Sequence, residues 1–204
     1  MSVALIDYGA GNLHSVHNAL AKAGAKDIAV TADPDVVAKA DRIVLPGVGA
    51  FRACRDGLYG LPGVVEAMTR AVHERGIPFL GVCVGMQLLA ETGEEFGSHQ
   101  GLGWIPGSVR LVAPGDAAIK VPHMGWNDVT PVTPHPLIEQ GEAYFLHSYH
   151  FAATNASQVL ATTDHGGSIV AAVGHGTVVG VQFHPEKSQR YGLSLLSRFL
   201  HWKP

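Results

Sequence analysis

Over its first ninety residues the chain repeats one unit: a short apolar run, a turn marked by glycine or proline, and a segment with helical spacing. Residues 3–6 are apolar and lead through a turn at 7–12 into a helix in which Leu13, Val16, Leu20 and Ala23 share a face, closed by Gly24. Apolar runs at 27–31, 42–45 and 77–82 follow, with helices expected after Pro34, around Val64, Val65, Met68 and Val72, and over 86–90. Strand and helix in alternation build parallel sheets, because the helix supplies the right-handed crossover that brings successive strands side by side. The expectation is an α/β fold with a mostly parallel central sheet flanked by helices.

Past Gly93 helical spacing disappears. Strand-like runs at 108–112, 119–121, 143–151, 159–163, 168–173 and 177–183 alternate with turn residues, and prolines at 106, 114, 122, 131, 134 and 136 punctuate the first half of this stretch. These features predict a β-rich elaboration of one domain spanning residues 1–204, ended by a helix from Ser188 through Leu193, Leu196, Phe199 and Leu200.

Composition excludes several classes. Hydrophobic residues make up 47% of the chain and charged residues 15%, enough for a large core and too apolar for a disordered segment. A net charge of -3 without a basic run argues against nucleic acid as a partner. Cys54 and Cys83 are the only two cysteines, so no disulfide framework is expected, which suits a reducing compartment. No run reaches the length of a membrane span, and Asp7 interrupts the first apolar run too early for a signal sequence, so a soluble cytoplasmic protein is expected. The twelve histidines are dispersed, with His14/His17 and His147/His150 as close pairs and no Cys-x-x-Cys beside them; neither a metal site nor a cofactor is expected. The turn Gly9-x-Gly11 lacks the third glycine of a dinucleotide loop.

The chemistry centres on residues 78–87, where Cys83 stands between two glycines as Gly81-x-Cys83-x-Gly85. Small neighbours let a strand turn sharply into a helix, leaving the nucleophile exposed at the turn above the helix's first N–H groups. A helix N-terminus favours negative charge on such a sulfur, and nearby N–H groups can hold an oxyanion. The short motif alone does not separate a reactive elbow from a buried thiol. The glycine-rich loop 46–51 offers further backbone N–H groups. A base for the thiol comes late in the chain: after the strand 178–183 stand His184, Pro185 and Glu186. Residues i and i+2 of an extended segment point the same way, and Pro185 biases His184 toward extended geometry. Cys83 as nucleophile, His184 as base and Glu186 as the acceptor that orients it form a triad.

The elbow GVCVGMQ with HPE near the C-terminus closely resembles the triad-type, class I glutamine amidotransferases, whose fold is flavodoxin-like. DYGAGNLHS, PGVGAF, VPHMGWN, YFLHSYHF and QFHPEKSQ extend the resemblance along the whole chain, toward the branch that supplies ammonia for histidine biosynthesis. One departure is Val84, where many relatives carry leucine. The resemblance implies glutamine hydrolysis through a Cys83 thioester. It assigns an oxyanion hole to backbone N–H groups of Val84 and the Gly47-Val48 loop, and glutamine contacts to Gln87, His147, Ser148 and Tyr149. Gln87 also lies one helical turn beyond the nucleophile and so on its face. A separate (β/α)₈-barrel cyclase is implied as the partner in a heterodimer, with Asn12, Trp126, Tyr144 and Lys187 as interface candidates and the Pro46 to Gly49 loop as the coupling element. A glutaminase serving another synthase, a cysteine hydrolase on the same fold and a non-catalytic interaction module are the alternatives.

Overall fold

The structure, a computed structural model, describes residues 1–113, 115 and 119–204; Pro114 of the proline series lies outside them. The first half runs β1 (Ser2–Ile6), α1 (Leu13–Lys22), β2 (Asp27–Thr31), α2 (Pro34–Lys39), β3 (Arg42–Leu45), α3 (Phe51–Tyr59), α4 (Val64–His73), β4 (Phe79–Val82) and α5 (Val84–Gln87). The second half runs β5 (Thr92–Gly93), β6 (His99–Gln100), β7 (Gly107–Leu111), β8 (His123–Pro131), β9 (Gly141–His147), β10 (Tyr149–Ala153), β11 (Val159–Asp164), β12 (Ser168–His175), β13 (Val178–Val181) and α6 (Gln189–His201).

One large sheet has the order β2-β1-β3-β4-β13-β12-β11-β8-β9. Its first five strands are parallel, with β13 returning from the far end of the sequence to pair with β4. From β13 outward the pairing is antiparallel. The strands β1, β3, β4 and β13 are apolar almost throughout and buried, as strands covered on both faces must be. On the helical side α1 packs on α6, and α4 on α2 and α3. Arg42 at the start of β3 is buried and closes α6: its guanidinium donates to the carbonyls of Phe199, Leu200 and Trp202 at the helix's C-terminal end, where Phe199 also accepts from the Trp202 N–H. A smaller sheet, β10-β7-β5-β6, is separate from the first and meets it where β10 lies against β12.

The βα repeat and the closing helix form as the sequence predicts, except that the helix expected over 86–90 is the single turn α5 at Val84–Gln87. Four further details differ. Residues 119–121 are not a strand. The run 143–151 is two strands in two different sheets, broken at Ser148. The helix α3 forms although Arg52, Arg55, Asp56 and Gly57 interrupt its apolar face, because Phe51, Cys54 and Leu58 still recur on one side and are buried. The strand β8, nine residues long, was hidden by its polar composition, since only His123 and Val129 along it are buried.

Candidate active site

Register decides which residues meet. Leu45 of β3 pairs with Gly81 of β4, and Gly81 and Val82 pair with Gly180 and Val181 of β13. Three neighbouring strands therefore end level, and the chain leaves each at its carboxyl edge, where open α/β sheets carry their sites. From β3 comes the Pro46 loop, from β4 the elbow, and from β13 the segment Gln182 to Glu186.

At the elbow Cys83 has φ 54° and ψ −113°, a left-handed backbone that costs a side-chain-bearing residue of order 1–3 kcal/mol. Its glycine neighbours are needed for closeness. A Cβ on Gly81 would lie 2.6 Å from the Gly85 carbonyl oxygen, and one on Gly85 would overlap the Leu45 carbonyl. The thiol is not exposed, as the motif predicts, but lies at the floor of a cleft with the residue only 3% accessible. That cleft, about 270 Å³, is walled by Val48, Gly49 and Glu95 on one side and by Pro122 and residues 146–149 on the other, with Val84 and Gln87 beside the sulfur.

The predicted base and its carboxylate are together. His184 Nδ1 lies 2.9 Å from Glu186 Oε1, with the two side chains 3% and 2% exposed. Their proximity arises from a 3₁₀ turn over Pro185–Lys187 rather than from a continuing strand. Ser188 holds this turn: its hydroxyl donates to the His184 carbonyl at 2.6 Å and accepts from the Tyr144 N–H at 2.9 Å. Burial opposes charge on His184, yet hydrogen bonding and the negative partners Cys83 and Glu186 outweigh it and push its pKa up to about 10. The imidazole is therefore cationic at neutral pH, with Nδ1–H donating to Glu186 and Nε2 left for the sulfur.

The loop side is arranged differently. Val84 N–H donates to the Gly47 carbonyl at 3.3 Å. In a planar trans peptide C=O and N–H point in opposite directions, so the Val48 N–H is turned away from Val84. Val84, Gly47 and Val48 thus sit beside the nucleophile without presenting an open pair of donors. Two side chains bracket the same loop: Tyr8 O–H donates to the Pro46 carbonyl at 2.5 Å, and Cys54 Sγ–H to the Val48 carbonyl at 3.3 Å. Burial raises both groups above their ordinary pKa, Cys54 to about 11, so both remain protonated donors.

The four glutamine-contact candidates line the cleft. Gln87 Nε2 donates to the Tyr149 carbonyl at 2.9 Å and to Gln182 Oε1 at 3.1 Å, so both amide hydrogens are engaged. His147 belongs to a chain of hydrogen bonds whose direction can be read. A carbonyl only accepts, so His147 Nδ1–H donates to Tyr149 O at 2.9 Å and its Nε2 is bare. That nitrogen accepts from His123 Nδ1–H at 3.0 Å, and His123 Nε2 accepts from Asn127 Nδ2, which also donates to the Asp164 carbonyl. Burial keeps both imidazoles neutral, lowering His147 to about 3 and His123 to about 4. His165 stacks on His123 with centroids 4.2 Å apart. Histidines dispersed in sequence are thus gathered in space, with both ring nitrogens of His123 and His147 occupied by hydrogen bonds.

Among the interface candidates, Asn12 accepts from Ser15 N–H as the N-cap of α1. Trp126 and Tyr144 form an edge-to-face pair with centroids 6.1 Å apart, and Lys187 Nζ lies 5.9 Å from the Tyr144 ring centroid. Met124, 65% exposed, pairs across β8 and β9 with exposed Leu146, which lines the cleft together with Val48, whereas exposed Trp126, two residues further along β8, borders a separate hollow beside Tyr191. Residue spacing did not indicate Gln182, His123, Asn127, Tyr8 or Cys54. Tyr8, His123, Asn127 and Gln182 fall within stretches that carry the family resemblance, which was the one signal toward them.

A cysteine in a strained strand-to-helix turn, a buried His–Glu pair from the neighbouring parallel strand and glycine-rich backbone opposite are the features of triad amidotransferases, and the chain belongs to that family. The family described as "Glutamine amidotransferase class-I" matches residues 4–202. At full length the chain is 60% identical to the imidazole glycerol phosphate synthase subunit HisH of Zymomonas mobilis, covering 100% of this chain and 97% of that one. It is 54% identical to the subunit of the same name from Caulobacter vibrioides, covering 100% and 99%. The fold is shared with far more divergent proteins. A crystal structure titled glutamine amidotransferase superposes with a TM-score of 0.76 at 18% identity, covering 98% of both chains. The glutaminase domain of Trypanosoma brucei CTPS with bound acivicin gives 0.65 at 19% identity, covering 100% of this chain and 95% of that one. Among the described residues no helix is long and apolar enough to cross a membrane.

Proposed function

We propose that the chain is the glutaminase subunit of imidazole glycerol phosphate synthase, releasing ammonia from glutamine for a cyclase subunit with a (β/α)₈ barrel, as one half of a cytoplasmic heterodimer. The observation that carries the chemistry is the buried His184–Glu186 pair beside the Cys83 thiol at the floor of an amino-acid-sized cleft. Full-length identity to HisH subunits carries the choice of acceptor.

The reaction follows from the protonation states. The Cys83 thiolate attacks the side-chain amide carbon of glutamine, and the resulting oxyanion requires donors at Val84 and Val48. His184 Nε2–H passes its proton to the amide nitrogen, which leaves as ammonia, and a γ-glutamyl thioester remains. His184, now neutral, takes a proton from water as that water attacks the thioester; the sulfur leaves and glutamate is released. Glu186 holds the imidazole in the tautomer both steps need. Gln87, with both amide hydrogens engaged, can offer the substrate only its Oε1, while residues 147–149 line the cleft beside it.

The closed loop supplies the regulation. Turning the Gly47–Val48 peptide frees Val84 N–H and brings Val48 N–H toward the oxyanion, and the glycines at 47 and 49 permit that rotation. The exposed side chains of Val48, Met124, Trp126 and Leu146 are where a partner would act on it. Glutamine hydrolysis should be slow for the chain alone and rise about 10²–10³-fold with cyclase and its ribotide ligand, the effect of restoring an oxyanion donor. A Cys83→Ala chain should be inactive under both conditions. An equal rate with and without the liganded cyclase would refute the coupling, and glutamine turnover by Cys83→Ala the nucleophile.

A further inference from the structure

Gln182 has no place in the mechanism above, yet it precedes Phe183-His184 and is wholly buried between two residues of the site. Its Oε1 stands 3.1 Å from Gln87 Nε2, and its Nε2 stands 3.8 Å from the Cys83 sulfur. The two ends of an amide have nearly the same shape, so which end faces the sulfur must come from the hydrogen-bond pattern. A backbone carbonyl decides it. The Tyr149 carbonyl only accepts, so the end of Gln87 that lies 2.9 Å from it is the NH₂. That same NH₂ touches Gln182, which must meet it with oxygen. The NH₂ of Gln182 is thereby left facing Sγ, and reversing either amide would set like groups against each other.

The geometry points to Gln182 as a further catalytic residue, whose Nε2–H donates to Cys83 Sγ, stabilising the thiolate before attack and the departing sulfur when water opens the thioester. The donor lies in the buried floor of the site, on the side of His184, and is oriented through Gln87 by the substrate-lining segment. The inference rests on Cys83 being the nucleophile.

Alkylation of Cys83 by iodoacetamide, followed on the intact full-length chain by mass spectrometry across pH, reads the sulfur without glutamine turnover. The other titratable groups near Sγ are His184 and Glu186 beyond β13, Tyr8 after β1, Cys54 on α3, and Glu95, His147 and Tyr149 in the cleft walls, and all remain in each variant. Gln182→Glu keeps an oxygen for Gln87 but sets an oxygen against the sulfur, whereas Gln182→Met removes both contacts with a neutral side chain of similar length. Alkylation at neutral pH should slow about tenfold in Gln182→Met and further in Gln182→Glu, with the profile moved to higher pH. Thermal unfolding controls for folding, and Gln182→Met alone decides if Gln182→Glu does not fold. If Gln182 served only to hold Gln87, the neutral Gln182→Met would leave the profile unmoved; that result in a folded chain, or Gln182→Glu alkylating at the unsubstituted rate despite its added charge, overturns the proposal. In the unsubstituted chain, Cys83 reacting no faster than Cys54 would instead overturn the nucleophile assignment and the proposal with it.

Discussion

The two sides of Cys83 are built by opposite means. On the β13 side the polar groups are held by side-chain hydrogen bonds, Glu186 Oε1 on His184, Ser188 on the turn that carries them, Gln182 on Gln87 and on the sulfur, with the buried Glu186 Oε2 left without a partner among the described residues. On the β3 side the loop is anchored at the Pro46 and Val48 carbonyls, and the peptide between them closes on Val84. In the reaction proposed above, the charge-handling half would be assembled in the resting protein, and the half that stabilises the oxyanion would wait for a rotation. A glutaminase built this way keeps its nucleophile ready and withholds the transition state.

Three changes test that asymmetry. Glu186→Gln keeps the shape of the fixed side and removes its charge, so glutamine hydrolysis with liganded cyclase should fall at least about a hundredfold, in kcat more than in KM. Retention of the full rate would show that the fixed side is scaffolding. Tyr8→Phe acts on the other side: it deletes the donor to the Pro46 carbonyl, worth about 1 kcal/mol, so the loop should turn more readily. Partner-free hydrolysis should rise severalfold while the rate with liganded cyclase changes little; an unchanged or lower partner-free rate would break the comparison.

The smallest effect is in stability against pH. His184 is raised to about 10 from 6.5, so the folded state holds its proton more tightly than the unfolded state does. The stability it contributes is complete below pH 6.5 and is lost as pH rises toward 10. His123 and His147 are lowered to about 4 and 3, so between those values and 6.5 the unfolded chain binds the extra protons and stability falls with acid. Urea midpoints from pH 4 to 10 should show both limbs. His123→Asn, whose amide can still donate to His147, should flatten only the acid one; an unchanged acid limb would show that His123 does not carry it.

What could be read from the sequence followed the range of each interaction. The elbow, the His184 and Glu186 pair and the β13 strand were legible because a few adjacent residues define them, although the pair was read on an extended segment and sits on a 3₁₀ turn. The strand β8 was not, since its pairing with β9 is set by residues such as Tyr144 and Ala143 well along the chain and its outward face is polar and aromatic. The break at Ser148 could not be placed within the strand-like run 143–151, because the two halves are claimed by different sheets. Gln182 reads as an ordinary strand residue until Gln87, 95 positions earlier, is placed against it. The closed state of the loop was beyond any local pattern, because one hydrogen bond between Val84 and Gly47 defines it.

The Ser188 hydroxyl has a mechanical meaning. It is a rivet, joining the backbone of Tyr144, on the strand a partner would press, to the backbone of His184, the base itself. A push on Trp126 and Tyr144 would carry the base along as a rigid body and keep its alignment with Glu186. The same push reaching Val48 meets a swivel. One docking event would thus arrive at the sulfur as translation from one side and rotation from the other.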